Sequence, residues 1–267
     1  MLDLHNHILP GLDDGPDDWW ESLEMARLAV ADGIRGVVCT PHWVAGFYEN
    51  SRDQVLKTVA VFRQKLLEQK ISLEVYPGCE LHADLTLLQR VKRRELLTLN
   101  DSGRYVLLEF PYETLPDNSE ILLWDLLTHD IVPVVAHPER NSALLRDVER
   151  LRRWIRMGVL VQITAGSMLG RFGSRVQAFC SDILERQMVH VVASDAHGLH
   201  TRAPTLSTAL AEIQRRLGKA AARSLVFDNP RKIIQGKVVK PPEPLPAKAR
   251  SRLSGLRKRL FSFRSAL

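Results

Sequence analysis

Near its start the chain reads Asp3-Leu4-His5-Asn6-His7, an apolar stretch that places two imidazoles two residues apart. In a β-strand, residues i and i+2 share one face, so His5 and His7 would point the same way and could hold one divalent ion. A His-x-His pair alone also occurs in ordinary structural settings. The rest of the chain therefore decides whether this stretch belongs to a metal site.

Five later apolar runs also end at a side chain that can bind a metal. They are Val37-Val38-Cys39-Thr40-Pro41-His42, Leu73-Glu74-Val75-Tyr76-Pro77-Gly78-Cys79-Glu80, Tyr105-Val106-Leu107-Leu108-Glu109, Ile131-Val132-Pro133-Val134-Val135-Ala136-His137 and Val189-His190-Val191-Val192-Ala193-Ser194-Asp195-Ala196-His197. The acidic turn Leu12-Asp13-Asp14-Gly15 adds Asp14, with Asp13 as an alternative. The nine candidate ligands are His5, His7, Asp14, His42, Glu80, Glu109, His137, Asp195 and His197.

Amphipathic helical stretches separate these runs. The first has its apolar residues at helical spacing and is expected to end at Gly33. Its apolar positions are Trp19, Leu23, Ala26 and Val30. Ser51-Arg52-Asp53-Gln54 resembles a capping box that leads into a second helix. Further helices are predicted near 148–155, 173–187 and 205–225. Short β-branched runs that alternate with helices predict βα units and a parallel sheet.

About seven such βα repeats favour a barrel over an open sheet. In a (β/α) barrel, the C-terminal ends of the strands lie at one face, where groups from different strands converge. The candidate ligands His42, Glu80, Glu109 and His137 stand at these ends, as does the paired motif Asp195-Ala196-His197. The fold class predicted is therefore α/β, with the site at the C-terminal face of the barrel.

Length and composition fit one cytoplasmic enzyme domain. The chain has 267 residues, of which 45% are hydrophobic and 25% charged, enough for one core of barrel size. No apolar stretch approaches the ~20 residues of a membrane span, and no leader resembles a signal peptide. Cys39, Cys79 and Cys180 lack the spacing of a disulfide framework or a thiolate zinc site, and we expect them to be packed in the core.

The charge is distributed unevenly. Residues 231–267 contain eleven Lys or Arg and one acid, Glu243, so this segment has a net charge of +10. The whole chain has a net charge of +6, so residues 1–230 have −4 and are mildly acidic. Lys240-Pro241-Pro242-Glu243-Pro244-Leu245-Pro246 has the composition of a linker. The stretch 241–267 is a candidate for an anionic membrane surface or an acidic partner, and a solvated, disordered tail is the alternative. No nucleic-acid partner is expected, because no groove-reading motif accompanies the charge.

Taken together, these motifs resemble the polymerase-and-histidinol-phosphatase (PHP) superfamily. Within it, they resemble the manganese-dependent protein-tyrosine phosphatases of bacterial capsule and exopolysaccharide clusters, the CpsB/CapC family. The motifs are Asp3-Leu4-His5-Asn6-His7-Ile8-Leu9-Pro10-Gly11-Leu12-Asp13-Asp14-Gly15, Thr40-Pro41-His42, Gly78-Cys79-Glu80, His137-Pro138-Glu139-Arg140-Asn141 and Ser194-Asp195-Ala196-His197. The likeness implies a distorted (β/α)7 TIM-like barrel of the PHP type at 1–235. The Pro-containing linker and basic tail at 236–267 lie outside it.

The resemblance also implies a cluster of three metal ions. The first would be bound by His5, His7, Glu80 and Asp195. Glu80 would bridge to the second, held with Glu109 and His137. The third would be bound by Asp14, His42 and His197. Mixed imidazole and carboxylate ligands suit Mn, Fe or Zn, and the family resemblance favours Mn2+.

Arg140 and Arg202 match the phosphate-binding arginines of that family. The implied activity is hydrolysis of phosphotyrosine, on a bacterial tyrosine autokinase that governs polysaccharide synthesis. The implied location is the cytoplasm, with peripheral contact to the inner face of the membrane through the tail. Trp43, Phe47 and Tyr48 follow His42 closely and are candidates for an aromatic rim that contacts a phosphotyrosine ring.

Two other functions fit the same residues. A PHP phosphoesterase could act on a small phosphomonoester such as histidinol phosphate, or on a nucleotide. A non-catalytic module stabilised by metal is the more distant reading. Nine ligands with two arginines favour catalysis, because structural metal sites are usually closed and mononuclear.

Overall fold

A computed structural model describes residues 1–246, so the predicted basic tail beyond Pro246 lies outside the described residues. The strands are β1 (Leu2–Asn6), β2 (Gly36–Cys39), β3 (His42–Val44), β4 (Tyr48–Glu49), β5 (Glu74–Pro77), β6 (Glu80–His82), β7 (Tyr105–Glu109), β8 (Val132–Ala136), β9 (Leu160–Thr164) and β10 (Val191–Ala193). The helices are α1 (Trp19–Ala31), α2 (Arg52–Glu68), α3 (Leu87–Lys92), α4 (Ser119–Thr128), α5 (Ser142–Arg146), α6 (Val148–Met157), α7 (Ala165–Met168), α8 (Ser174–Glu185), α9 (Ser207–Leu217), α10 (Lys219–Arg223) and α11 (Asn229–Ile234).

The strands form two parallel sheets whose order follows the chain. One sheet has the order β1-β2-β5, and the other has β10-β9-β8-β7-β6-β3, with β4 added antiparallel to β3. The outer strands β1 and β10 meet through hydrogen bonds, in which Asp195 N–H donates to the His5 carbonyl at 2.9 Å and His7 N–H donates to the Ala196 carbonyl at 2.9 Å. Seven βα units follow one another around this arrangement, which agrees with the predicted number, although β9 was not among the runs singled out in the sequence.

Two breaks distort the barrel. The second strand of the barrel is divided into β2 and β3 around Pro41, and the third is divided into β5 and β6 around Gly78. A Cβ on Gly78 would meet the Val38 side chain at 2.8 Å, so glycine lets the two strands approach. After each break the chain resumes with a candidate ligand, His42 or Glu80. The breaks therefore separate the apolar lower half of the barrel from its polar upper half.

Local sequence signals set the helix ends, with Gly33 and Ser51 at the predicted positions and Asp18 as a cap that the sequence analysis did not identify. Asp18 caps α1 by accepting a hydrogen bond from Glu21 N–H, and Gly33 follows the last turn with φ +91°. Ser51 caps α2 through Gln54 N–H, at 3.3 Å. The apolar faces of these helices pack on the outside of the strands in one continuous core. No helix in residues 1–246 combines the length and apolar character that crossing a bilayer requires.

A second apolar cluster fills the inside of the barrel and its lower face. Residues from β1, β2, β7, β8, β9 and β10 meet there with Ile233, Ile234 and Val239. Strands that are buried on both faces explain why the runs in the sequence are almost continuously apolar. The chemistry is thereby confined to the upper face, where the strands end.

The Pro-containing stretch after α11 packs across the lower face. Tyr105 Oη donates to the Lys237 carbonyl at 2.7 Å and accepts from Val239 N–H at 3.1 Å. Arg186 and Leu245 exchange two hydrogen bonds at 2.9 and 3.2 Å. The stretch predicted as a linker is therefore held on the barrel up to its last described residues, opposite the C-terminal ends of the strands.

Candidate metal centre

All nine candidate ligands lie together at the C-terminal face of the barrel. They come from β1 and the loop after it, from the first residues of β3 and β6, from the end of β7, and from the turns that follow β8 and β10. His5, His7 and Glu80 are completely buried, while Asp14 is half exposed at the mouth. His137 and Asp195 have positive φ, 28° and 53°. Such strained backbone is typical of functional sites.

Four groups of donor atoms are close enough to hold an ion, with all atoms in a group within 4.8 Å of one another. These groups are His7, Asp14, His42 and His197; His5, His7 and Glu80; His5, His137 and Asp195; and His42, Glu80 and Glu109. Every predicted ligand belongs to at least one group. Glu109 and Glu80 also both lie near His137 Nε2, at 3.6 and 2.9 Å. The four groups overlap, because His5, His7, His42 and Glu80 each belong to two of them, so the candidate ligands form one continuous cluster.

Glu80 is at the middle of this centre. Its two carboxylate oxygens lie 2.9 Å from His137 Nε2, 3.1 Å from His5 Nε2, 3.1 Å from His42 Nδ1 and 3.3 Å from His7 Nε2. Burial favours the neutral carboxyl group, but the surrounding imidazoles hold the pKa of Glu80 well below its usual range. A carboxylate that its surroundings keep ionised, with four imidazoles around it, is suited to bridge cations.

The orphaned polar atoms fit metal ions. Glu80 Oε2, His42 Nδ1 and His197 Nε2 are buried and make no hydrogen bond of acceptable geometry. His5 Nε2 faces His7 Nε2 at 3.0 Å, where at most one proton can lie between the two nitrogens. Buried polar groups without partners are rare in proteins, and cations between these atoms would satisfy them. Burial and repulsion from the Glu80 carboxylate also raise the pKa of Glu109 to about 7. A cation bound between the two carboxylates would relieve this repulsion.

Two further residues orient the paired histidines. His7 Nδ1 lies 2.6 Å from Asp13 Oδ2, and His5 Nδ1 lies 3.0 Å from Gln162 Oε1. These partners leave both Nε2 atoms directed at the centre, which is the arrangement by which proteins fix metal-binding imidazoles. Burial disfavours the charged imidazole, but Asp13 and Glu80 raise the pKa of His7 to about 10.

The structure also separates Asp13 from Asp14, which the sequence left open. Asp13 is behind His7 and accepts a hydrogen bond from His42 N–H at 2.9 Å. Asp14 instead faces the mouth, 3.2 Å from His197 Nε2 and 3.5 Å from His42 Nε2. Asp14 is therefore placed to bind a metal, and Asp13 to position a ligand.

A buried network joins the first and last strands below the centre. Asp3 accepts hydrogen bonds from Ser194 N–H at 2.9 Å, from Ser194 Oγ at 2.5 Å and from Asn6 Nδ2 at 2.9 Å. Sequence reasoning gave Asp3 no role, although a carboxylate in an apolar strand is itself a signal. The network fixes the turn from which Asp195 reaches the site.

Both predicted arginines flank Asp195. Arg140 Nη2 lies 2.6 Å from Asp195 Oδ2 and donates to Thr164 Oγ1 at 3.1 Å, while Arg202 Nη2 donates to Asp195 Oδ1 at 2.6 Å. Burial opposes ionisation, but His5, Arg140 and Arg202 hold the pKa of Asp195 well below its usual range. The two guanidinium groups give one edge of the centre the charge and donors that a phosphate group requires.

The cysteines and Trp43 take no part in the centre. Cys39, Cys79 and Cys180 are buried as expected, and burial raises the pKa of the Cys39 thiol to about 12. The proposal that Trp43 belongs to an aromatic rim is not supported, because its side chain is buried beneath Arg90. It follows His42 in β3, and successive strand residues point to opposite faces.

Comparison with known proteins agrees with these motifs. The sequence model for capsular polysaccharide synthesis, CpsB/CapC, matches residues 1–235. The chain is 36% identical to tyrosine-protein phosphatase YwqE of Bacillus subtilis, over 92% of this chain and 96% of YwqE. It is 34% identical to tyrosine-protein phosphatase CpsB of Streptococcus pneumoniae, over 90% of this chain and 100% of CpsB.

Solved structures give the same result. YwqE of Bacillus subtilis and CpsB of Streptococcus pneumoniae are metal-dependent tyrosine phosphatases of known structure. One of these crystal structures matches this chain with a TM-score of 0.89 at 36% identity, over 93% of this chain and 100% of that one. Histidinol phosphate phosphatase of Lactococcus lactis has a TM-score of 0.51 at 15% identity, over 82% of this chain and 93% of that one, which shows a common fold. The chain belongs to the CpsB/CapC family.

Proposed function

We propose that this protein is a metal-dependent protein-tyrosine phosphatase. Its substrate would be phosphotyrosine on a bacterial tyrosine kinase of capsular or exopolysaccharide synthesis. The observation that carries the proposal is the convergence of nine metal-binding side chains beside Arg140 and Arg202 at one face of the barrel. The tyrosine phosphatases YwqE and CpsB, similar over most of their length, support this substrate class.

The chain would hold its metal ions through three sets of ligands, of which the first two share Glu80. His5, His7, Glu80 and Asp195 would form the first; Glu80, Glu109 and His137 the second; and Asp14, His42 and His197 the third. The imidazole and carboxylate donors, which include no thiolate, suit Mn, Fe or Zn alike. We propose Mn2+ because the resemblance to the manganese-dependent phosphatases favours it, with Fe or Zn as the alternatives. When bound, such ions lower the pKa of a water molecule and neutralise charge on the phosphoryl group.

The protein's own residues would position the phosphate. Arg140 and Arg202 approach from one side and would donate N–H groups to the phosphate oxygens, since a guanidinium group remains charged at any relevant pH. Asp195 holds both arginines, at 2.6 Å each, before a substrate enters. Pre-positioned donors require little rearrangement during reaction, which favours the transition state.

A metal-reconstitution assay tests this function. The protein would be stripped by a chelator and supplied in turn with Mn, Zn, Mg or Fe, and hydrolysis of a phosphotyrosine peptide would be compared with that of histidinol phosphate and a nucleotide. We expect Mn to restore turnover of the peptide, and the stripped protein to be inactive. Preference for histidinol phosphate or the nucleotide would overturn the substrate, and inactivity with every metal and substrate would favour the non-catalytic module.

The basic tail supports a peripheral location on the inner face of the cytoplasmic membrane. Residues 231–267 have eleven Lys or Arg against one acid. The segment leading to the tail is held on the lower face by Tyr105 and Arg186, so a tethered molecule would keep its metal centre directed away from the lipid. Polybasic segments that contain apolar residues bind anionic bilayers.

Liposome sedimentation tests this location. We expect the full chain to sediment with vesicles that contain phosphatidylglycerol, and less so at high salt, because screening weakens such attraction. A chain that ends at Pro246 should remain in the supernatant, with unchanged phosphatase activity as evidence that it is folded. Equal sedimentation of both chains would exclude the tail as the anchor.

A further inference from the structure

Three aromatic side chains each contact a residue of the site, and a fourth packs on one of the three. Tyr48 stacks on His42 with ring centroids 5.9 Å apart, and Phe47 meets Tyr48 edge to face at 4.6 Å. Tyr112 stacks beside His137 at 5.9 Å. Phe172 lies under Arg140, with the guanidinium carbon 4.0 Å from the centre of its ring.

These rings come from three separate loops. Phe47 lies in the turn between β3 and β4, Tyr48 begins β4, Tyr112 follows β7, and Phe172 follows α7. The Tyr112 loop is fixed to the turn after β8, where Ser142 N–H donates to the Tyr112 carbonyl at 2.7 Å and Asn141 Nδ2 donates to the Pro111 carbonyl at 2.6 Å. The rings therefore approach the site from separate segments of the chain, and the loop of Tyr112 is held in place by hydrogen bonds.

The exposure of these rings is unusual for aromatic side chains. Phe47 is 75% exposed, Tyr112 49% and Phe172 38%. Single exposed apolar residues need no explanation, but several around the mouth of one polar site form a surface suited to an apolar ligand group. In phosphotyrosine the ring is attached directly to the phosphate oxygen. Tyr48, Tyr112 and Phe172 touch His42, His137 and Arg140, so a phosphate bound by these groups would bring its ring close to the aromatic side chains.

We propose that Phe47, Tyr48, Tyr112 and Phe172 form an aromatic rim that receives the phenyl ring of the substrate and selects aryl over alkyl phosphomonoesters. This inference rests on the proposed phosphatase function. Aromatic pairs prefer stacked or edge-to-face contacts, which contribute about 0.5–1.5 kcal/mol beyond the area that they bury. An alkyl phosphate such as phosphoserine would reach the same arginines without these contacts.

Kinetics with matched substrates test the rim. The values of kcat and KM would be measured for a phosphotyrosine peptide and for the same peptide with phosphoserine, in Phe47→Ala and Tyr112→Leu. We expect the ratio of kcat/KM for phosphotyrosine over phosphoserine to fall about 10-fold in each variant, mainly because KM for phosphotyrosine rises. A change of about 10-fold corresponds to the free energy of about one aromatic contact. Trp124→Ala is the matched control, because Trp124 is an exposed ring on α4.

The possible failures are distinct. A wild-type protein that prefers the phosphoserine peptide would overturn both the proposed function and the rim. A wild-type preference for phosphotyrosine that survives unchanged in both variants, or an equal fall for both substrates, would overturn the rim alone. Phe47 is largely exposed, so its variant tests the rim even if Tyr112→Leu fails to fold.

Discussion

Replacement of Glu80 by glutamine is expected to abolish turnover and to lower the amount of bound metal. The substitution keeps the shape of the side chain but removes the negative charge that four imidazoles surround at 2.9–3.3 Å. It also takes a donor from two of the groups able to hold an ion. Since metal ions contribute several kcal/mol to phosphoryl transfer, we expect kcat/KM to fall about 1000-fold or more.

Metal content and activity have to be measured on the same samples. Elemental analysis after gel filtration would give the number of ions per chain, and hydrolysis of a phosphotyrosine peptide would give kcat/KM. Glu24→Gln is the control, because Glu24 pairs with Arg27 on the surface of α1. If the Glu80→Gln protein kept its full complement of metal and wild-type turnover, Glu80 would not be a metal ligand.

The positions of most candidate ligands were predictable because these residues stand where an apolar run ends, while Asp14 lies in an acidic turn. Parallel strands of a barrel have their C-terminal ends at one face, so residues far apart in the chain, such as His5 and Asp195, meet there. Both Pro41 and Gly78 interrupt a predicted run, and each run became two strands. Proline lacks a backbone donor and glycine allows close approach, which are the physical reasons for the two breaks.

Other features depend on contacts that a sequence does not display. Strand β9 was not among the runs singled out in the sequence, since it ends at no candidate ligand, yet the Gln162 side chain contacts His5 from 157 positions away. The choice between Asp13 and Asp14 depends on the path of one turn. For Trp43, strand alternation was the available signal, since a residue next to His42 in β3 must point away from the site.

Removal of Arg140 is expected to lower kcat/KM about 100-fold to 1000-fold, the effect of losing one pre-positioned donor to developing charge. The guanidinium group is nearly buried, stacked on Phe172 and held by Asp195 and Thr164. A lysine keeps the charge but not the planar fork, so Arg140→Lys should recover only part of the loss from Arg140→Ala.

Arg140 could instead act by holding Asp195 for the metal, and two further measurements distinguish these roles. If Arg140 contacts phosphate, the Arg140→Ala protein keeps its metal ions, while inhibition by inorganic phosphate weakens along with kcat/KM. If Arg140 only positions Asp195, the Arg140→Ala protein loses metal. Its inhibition by phosphate then weakens only in proportion to the metal that is lost. The exposed Arg146 on α5 supplies the control variant Arg146→Ala. Full metal with unchanged phosphate inhibition in Arg140→Ala would exclude Arg140 from the phosphate site, leaving Arg202 as the remaining guanidinium group beside Asp195 among the described residues.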